Sequence, residues 1–471
     1  MQIMTVCQLR VLGFRPTAAR LSAFLCGLLL ATTPVAPSVL QDRAGKSSTS
    51  SLAQLLASSE EHHILSSVLR QAGLLELLRR EADAAGLTLF APTDEAFRRL
   101  FTELGRNVTD VLNPQKLQEL LRYHAVTGQA IVGGSDGGET VLRDGMVLDT
   151  LAELQLGVDA SEGVKLVHGD SRKAFVIVAD VRATNGVLHV IDRVLIPPEL
   201  DLLAQATALG LDHFLTAMDR SRLTNALRGK GPVTVFAPRN AAFQNAPSDF
   251  PVPMIDLLKY HIASGFLLSG SLASGDIVTS VSDLKIGVDR SSADMRLAHG
   301  AGGKATVVKA DVMARNGVLH VIDVVMSPAT MSLRQLIEGM PRFSFFSSLS
   351  QGIRLDAAPG SGDALLTVFA PRNAAFDTIL ADSRKLSALD LGKVAMQHVS
   401  VGTYLTGTLW DGIAIPVLDG NFIRFWIEEQ PDAPGSVLHA DDIRVPDIMA
   451  TNGVLHDIRK VLVAGAPWKK R

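Results

Sequence analysis

An eight-residue unit occurs three times in this 471-residue chain, and it limits the possible folds more than any other feature. The copies are Asn185-Gly186-Val187-Leu188-His189-Val190-Ile191-Asp192, Asn316-Gly317-Val318-Leu319-His320-Val321-Ile322-Asp323 and Asn452-Gly453-Val454-Leu455-His456-Asp457-Ile458-Arg459. A β-prone run precedes each: Phe175 to Val178, Ala305 to Val308, and more weakly Val437 to Ala440 with Ile443 after it. Asn-Gly between apolar runs predicts a hairpin, with both turn residues at the positive φ of a type I′ turn. The second copy is apolar at nearly every position after the turn, which predicts a core strand covered on both faces. Each copy therefore reads as the closing hairpin of a domain. The asparagines are 131 (185 to 316) and 136 (316 to 452) residues apart. That period is too long for a solenoid and fits three tandem globular domains.

Two further units recur in the same order. Thr88-Leu89-Phe90-Ala91-Pro92-Thr93-Asp94-Glu95-Ala96-Phe97 returns at Thr234 to Phe243 and at Thr367 to Phe376. A β-prone triplet running into proline predicts strand, turn and helix, with Asp94, Asn240 and Asn373 as N-caps and the phenylalanine facing the core. The third unit is a helix ending in histidine. Leu117, Leu120, Leu121 and His124 stand at i, i+3, i+4 and i+7, as do Met254, Leu257, Leu258 and His261, then Leu391, Val394, Ala395 and His398. Ahead of the first unit, helical spacing starts at Leu52, with a break expected at Gly73. Pro197-Pro198 and Ser327-Pro328 leave short linkers, which predicts a fairly stiff row.

The ends of the chain suggest an extracellular address. Arg10, Arg15 and Arg20, the apolar run Leu21 to Ala31 and the small residues up to Ala36 predict a secretory signal, with an uncleaved anchor as the rival. Both cysteines, Cys7 and Cys26, fall inside it, so a mature chain would rely on packing without disulfides. The expected division is 1–36 signal peptide, 37–51 flexible leader, domains at 52–197, 198–328 and 329–465, and a basic tail at 466–471. The tail lacks the apolar stretch of a glycolipid-anchor signal, so no stable membrane insertion is expected once the signal is removed. A net charge of −3 without a basic stripe argues against nucleic acid as a partner.

The three units, in this order and three times over, resemble the fasciclin (FAS1) domain family. Thr234 to Phe243 is similar to its first sequence block and Asn316 to Asp323 to its second. Tyr123-His124 and Tyr260-His261 are similar to its Tyr-His motif, where the third repeat has Gln397-His398. The resemblance spans roughly residues 52 to 464. It implies an α+β fold in each domain, a β-wedge of two sheets packed with helices. It also implies a secreted protein of cell adhesion or matrix organisation that binds integrin-like receptors, collagens or other matrix proteins or polysaccharides. Pro446-Asp447-Ile448-Met449 is similar to an integrin-binding stretch of matrix relatives, with Val445 in place of a glutamate. The equivalent aspartates are Asp180 and Asp311.

The partner-binding candidates are thus Asp447, Ile448, Asp311, Asp180, Tyr123, His124, Tyr260 and His261. An aspartate beside an exposed turn could offer a carboxylate oxygen to a receptor-bound divalent cation; otherwise it pins the local turn. His189, His320 and His456 alternate with aliphatic residues, which favours an internal hydrogen bond over catalysis. His124, His261 and His398 lie on an apolar helix face and favour a core role over an adhesive one. His62-His63 reads as a solvated pair. Asn107-Val108-Thr109 is a candidate glycosylation site, and Gly133 to Gly138 a mobile loop. No P-loop, dinucleotide fingerprint, nucleophile elbow or zinc-protease motif is present, so no enzyme, cofactor or metal is expected. The alternatives are a structural wall or envelope component without a receptor and an enzyme using the recurrent histidines.

Overall fold

A computed structural model describes residues 49–463, except 77, 79–85, 106–112, 128–130, 133–139, 162, 170–171, 248, 291–293, 301, 357–364, 381–390 and 428–435. The signal, most of the leader, the basic tail, Asn107 and the Gly133–Gly138 loop lie outside the described residues. Within them the α+β architecture repeats three times.

Each unit is built on a parallel pair. The opening strands, Leu87–Pro92, Val233–Pro238 and Leu366–Pro371, lie beside the closing strands Gly186–Ile191, Gly317–Ile322 and Gly453–Ile458. A short strand after the histidine helix flanks each opening strand, and a longer strand pairs antiparallel with each closing strand. All three closing strands are buried or nearly so along their length, as their apolar pattern predicts. In units one and two the long strands, Arg172–Ala183 and Gly303–Ala314, continue into three further strands to give seven-stranded sheets. The third unit differs. Its hairpin strand is Ile443–Ala450, whereas Ser436–His439 belongs to a separate three-stranded sheet, pairing parallel with Phe422–Trp426. The strand expected at Val437 to Ala440 therefore serves the second sheet and not the hairpin. Every unit has one apolar core under its helices and another enclosed by its outer strands.

Several local expectations need correction. The hairpin turns are Thr184-Asn185, Arg315-Asn316 and Thr451-Asn452, with the glycine already in the strand. None of these turn residues has positive φ, so the turns are not type I′. Glycine is required for a different reason: a Cβ on Gly186, Gly317 or Gly453 would collide with the carbonyl oxygen of Leu87, Val233 or Leu366 on the parallel neighbour. Each asparagine ties the turn to the start of its domain. The Asn185, Asn316 and Asn452 Oδ1 atoms accept from the Leu52, Leu202 and Leu333 amides at 2.9 Å, and each Nδ2 donates to the carbonyl oxygen of Leu78, Leu227 or Leu355.

The N-caps are also reassigned. Thr93 and Arg239 occupy the N-cap positions of the first two phenylalanine helices, and only the Thr93 side chain bonds there. Asp94, Asn240 and Asn373 reach across to another helix and accept from its first turn, at the amides of Ile64, His213 and Phe345. The first helical segment breaks at Ser58 to His62, and Gly73 (φ 69°) follows the end of the second helix. His62 is fully buried, its Nδ1 2.7 Å from the Ser59 hydroxyl, while the His63 side chain stays exposed. Phe97 and Phe376 are buried and Phe243 half-buried, but Met254 points to solvent.

Candidate functional site

The aspartates singled out from the sequence share one backbone device. The long strand bulges against the closing strand, shifting register between Val178 and Val181, Lys309 and Val312, and Val445 and Ile448. Asp180, Asp311 and Asp447 sit in these bulges with φ of 61°, 56° and 54°. This left-handed region is uncommon for side-chain-bearing residues and several-fold enriched in Asp and Asn. Each aspartate amide donates to Nδ1 of the recurrent histidine, at 3.3 Å for His189, 3.2 Å for His320 and 3.3 Å for His456. His320 and His456 donate through Nε2 to the Leu267 and Tyr404 carbonyls, and all three rings stack on Phe90, Phe236 or Phe369. A neutral imidazole meets these demands at both nitrogens in His320 and His456, which is the structural role its strand position predicts.

The carboxylates turn inward in units two and three. Asp311 accepts from the Ser269 amide at 2.7 Å and from its hydroxyl; Asp447 accepts from the Thr406 amide at 2.8 Å and from its hydroxyl. The expectation of an exposed turn therefore fails at Asp447, which has no exposed surface, and at Asp311, which has 7%. Ile448 is 1% exposed because it packs into the third unit's core. Asp180 differs: its side chain keeps 23% of its surface.

The Tyr-His pairs are interior too. The Tyr123 and Tyr260 hydroxyls donate to the Gln155 and Lys285 carbonyls at 2.8 and 2.7 Å, and burial pushes both phenols well up. His124, His261 and His398 bond the carbonyl four residues earlier through Nδ1 and accept at Nε2 from the Leu195, Met326 and Leu462 amides. Burial lowers these imidazoles to about 4. Each locks its helix to the segment after the closing strand, so Tyr123, His124, Tyr260 and His261 offer no surface to a partner in this arrangement. Among the described residues no cluster has the composition of a metal site, and no helix is long and apolar enough to cross a membrane.

The fasciclin domain family matches residues 60–197, 209–328 and 341–464, most of the chain. The chain belongs to the fasciclin family. It is 28% identical over 436 residues to rabbit (Oryctolagus cuniculus) transforming growth factor-beta-induced protein ig-h3, covering 90% of this chain and 59% of that protein. It is 26% identical over 408 residues to human periostin, covering 83% of this chain and 44% of periostin. The chain thus spans about half the length of these curated relatives. The fasciclin-like arabinogalactan protein elcF of the fungus Phaeosphaeria nodorum is 28% identical over 294 residues, covering 59% of this chain and 89% of elcF. A solved FAS1 domain pair from the insect cell adhesion molecule Fasciclin I matches 55% of this chain and 94% of its own, at 20% identity and a TM-score of 0.27.

The fasciclin domains meet through two equivalent junctions that the sequence reading did not find. Leu268 of domain two sits over Gly157 of domain one, its Cδ1 2.7 Å from where a Cβ would stand; Leu405 of domain three sits over Gly287 at 2.8 Å. Around them Val167, Met313 and Val318 form one apolar cluster, and Ala298, Met449 and Val454 form the other. Gly145 and Gly275 allow the Ser271 and Thr408 backbones or side chains to close in, and Gly270 and Gly407 do the same for Asp144 and Asp289. A signal was present in the sequence: Leu156-Gly157-Val158-Asp159 returns as Ile286-Gly287-Val288-Asp289, but the third repeat reads Ile423-Arg424-Phe425-Trp426. At the second junction Lys304 of domain two lies 2.7 Å from Asp447 and 2.6 Å from Asp289. Burial alone would raise the Asp447 carboxyl, but the Lys304 ammonium, with the Thr406 hydroxyl, holds it below the usual aspartate range.

Proposed function

We propose that this chain is a secreted adhesion or matrix-organising protein acting by multivalent contact with an integrin-like receptor or a matrix protein or polysaccharide. The observation that carries this reading is the row of three fasciclin domains joined by packed junctions, with the recurrent histidines enclosed and hydrogen-bonded. Repeated weak sites held at fixed spacing gain avidity through effective concentration, which a single domain lacks. The chemical interest of an enzyme is weakened by the same geometry, since His189, His320 and His456 are fully buried and spent on backbone partners. Within this reading Asp180 is the bulge aspartate whose carboxylate a receptor-bound cation could reach.

The test is adhesion of cells from the source organism to the immobilised mature chain, with and without divalent cations, beside Asp180→Ala and a single-domain fragment of matched surface density. Cation-dependent adhesion that falls in Asp180→Ala supports the receptor reading. Adhesion no greater than to a blocked surface would remove it and leave a structural wall or envelope component, a role consistent with the likeness to a fungal arabinogalactan-named protein.

A further inference from the structure

In domains one and two the sheet face that carries Gly157 or Gly287 receives a leucine of the next domain. Its counterpart in domain three lies on the strand Phe422–Trp426, since Ala414 pairs with Arg424 as Ile277 pairs with Gly287. Ile423 and Phe425 of this strand point into the core, and the residues alternating with them point outward. The outward row is Gln155, Gly157 and Asp159 in domain one, and Lys285, Gly287 and Asp289 in domain two. In domain three it becomes Phe422, Arg424 and Trp426. The seat for a leucine has given way to an aromatic ring, a cation and a second ring.

The charge of the row changes with it. Asp159 makes it −1 in domain one, Lys285 and Asp289 cancel in domain two, and Arg424 makes it +1 in domain three. Arg424 is exposed, and no carboxylate pairs with it among the described residues. The Asp411 and Asp419 carboxylates on the adjoining loops bond the Ile427 amide and Asn421 instead. Phe422 is 56% exposed, and the Trp426 ring is held against Gly412, 3.5 Å from where a Cβ would stand. Two rings with a cation between them, in a line about 13 Å long, suit a linear ligand that presents ring faces and a carboxylate. A chain of uronic acid sugars has both: the C–H face of a pyranose packs on an aromatic ring, and its carboxylate matches the guanidinium fork. An extended peptide fits less well. Phe422–Trp426 is the middle strand of its three-stranded sheet, so it has no free backbone edge to which a peptide could add.

We infer that the row Phe422, Arg424 and Trp426 on domain three is a binding site for a carboxylate-bearing polysaccharide. The inference rests on the matrix-binding reading above and narrows it to one class of partner at one place. The face that holds a neighbouring domain in the first two repeats is turned, in the third, to a ligand from outside the chain.

Calorimetric titration of the full-length mature chain with polygalacturonate, in buffer free of divalent cations, tests this. The expected result is saturable binding that Arg424→Gln weakens about tenfold and Phe422→Ala about fivefold. Both positions are exposed, and far-ultraviolet circular dichroism should show both variants folded. Val308→Thr, at an exposed position in domain two, should leave the affinity unchanged. Dextran offers sugar rings without carboxylates and polyglutamate offers carboxylates without rings, so each should bind at least about tenfold more weakly. Absence of saturable binding, an unchanged affinity in either row variant, or equal binding of dextran or polyglutamate would each overturn the proposal; the last would make the row a site for acidic protein. The outcome is separate from cell adhesion. A chain that binds polygalacturonate but no cells keeps this site and loses the receptor, whereas one that adheres through Asp180 and ignores the polymer does the reverse.

Discussion

The two junctions bury the same faces with the same leucine-over-glycine contact, but they handle charge differently. At the first, Lys173 pairs with Asp159 of its own domain at 2.6 Å, and Asp311 is held by the Ser269 amide and hydroxyl. Polar contacts across it lie at the rim, where Arg315 meets Glu119 at 2.8 Å. At the second, the equivalent lysine, Lys304, also reaches over the boundary to a carboxylate with no exposed surface. The difference teaches where a repeated interface becomes specific. Apolar docking sets the geometry in both, whereas among the described residues only the second has a fully buried carboxylate whose counter-ion comes from another domain. A buried ion pair adds little net stability when intact, but losing one partner leaves an uncompensated charge.

The largest effect that would test this contrast is Lys304→Met. Stranding Asp447 should cost domain three about 3–5 kcal/mol, whereas Lys173→Met should cost under about 1 kcal/mol because its pair is partly open to water. Urea denaturation followed by tryptophan fluorescence reads the Lys304 variant, since Trp410 and Trp426 both lie in domain three, and far-ultraviolet circular dichroism reads the Lys173 variant. Equal losses at the two junctions would erase the distinction.

Acid sharpens it next. His124, His261 and His398 are lowered by burial from 6.5 to about 4. The unfolded chain therefore binds more protons, so their contribution is complete above pH 6.5 and is lost as pH falls from there to about 4, up to about 3 kcal/mol per domain. Asp447, also depressed, keeps its contribution above the ordinary aspartate range and loses it only as pH drops below that. Denaturation midpoints measured from pH 7 to 3 should fall in all three domains first, with a further loss confined to the second junction. A junction that opens before the histidines titrate would contradict this order.

Replacing the seat residue, Gly157→Arg or Gly287→Arg, should cost about 2–3 kcal/mol at either junction, the value of the leucine burial lost. Small-angle scattering should show a longer, more flexible row in both variants. A clear inequality would mean that the lysine, and not the glycine seat, holds the second pair together. The smallest effect belongs to Arg315→Ala, within about 1 kcal/mol, because the pair it breaks is at the rim.

Much of the fold could be read from the sequence because its signals are local and repeated three times. The closing strands, the histidine helices and the strand–turn–helix unit all depend on periodicity within a dozen residues. What went astray was which group a residue serves. Asn316 was expected to supply turn geometry, but its side chain reaches Leu202, 114 residues away. Asn240 was expected to cap its own helix and instead serves the one at His213. Asp447 was expected at an exposed turn, and Lys304 of the neighbouring domain helps enclose it. Partners so distant leave no trace in spacing. The junction glycines were legible through the Leu156–Asp159 and Ile286–Asp289 repeat, which becomes informative once the third copy's Arg424 is set beside it.

The parallel pairing at the heart of each domain has a consequence for synthesis. Leu87 waits for Gly186, Val233 for Gly317 and Leu366 for Gly453, so each domain's central pair joins its first strand to its last. Closing such a long loop is slow, and until it closes the apolar strand Leu366–Pro371 has one open edge. A chain emerging from its N-terminus would finish its domains one after another, each vulnerable until its final hairpin appears. Truncation just before Gly453 should therefore leave domains one and two intact and the third unable to close. Premature stop codons would then yield shorter rows of whole domains carrying a sticky, unfinished end.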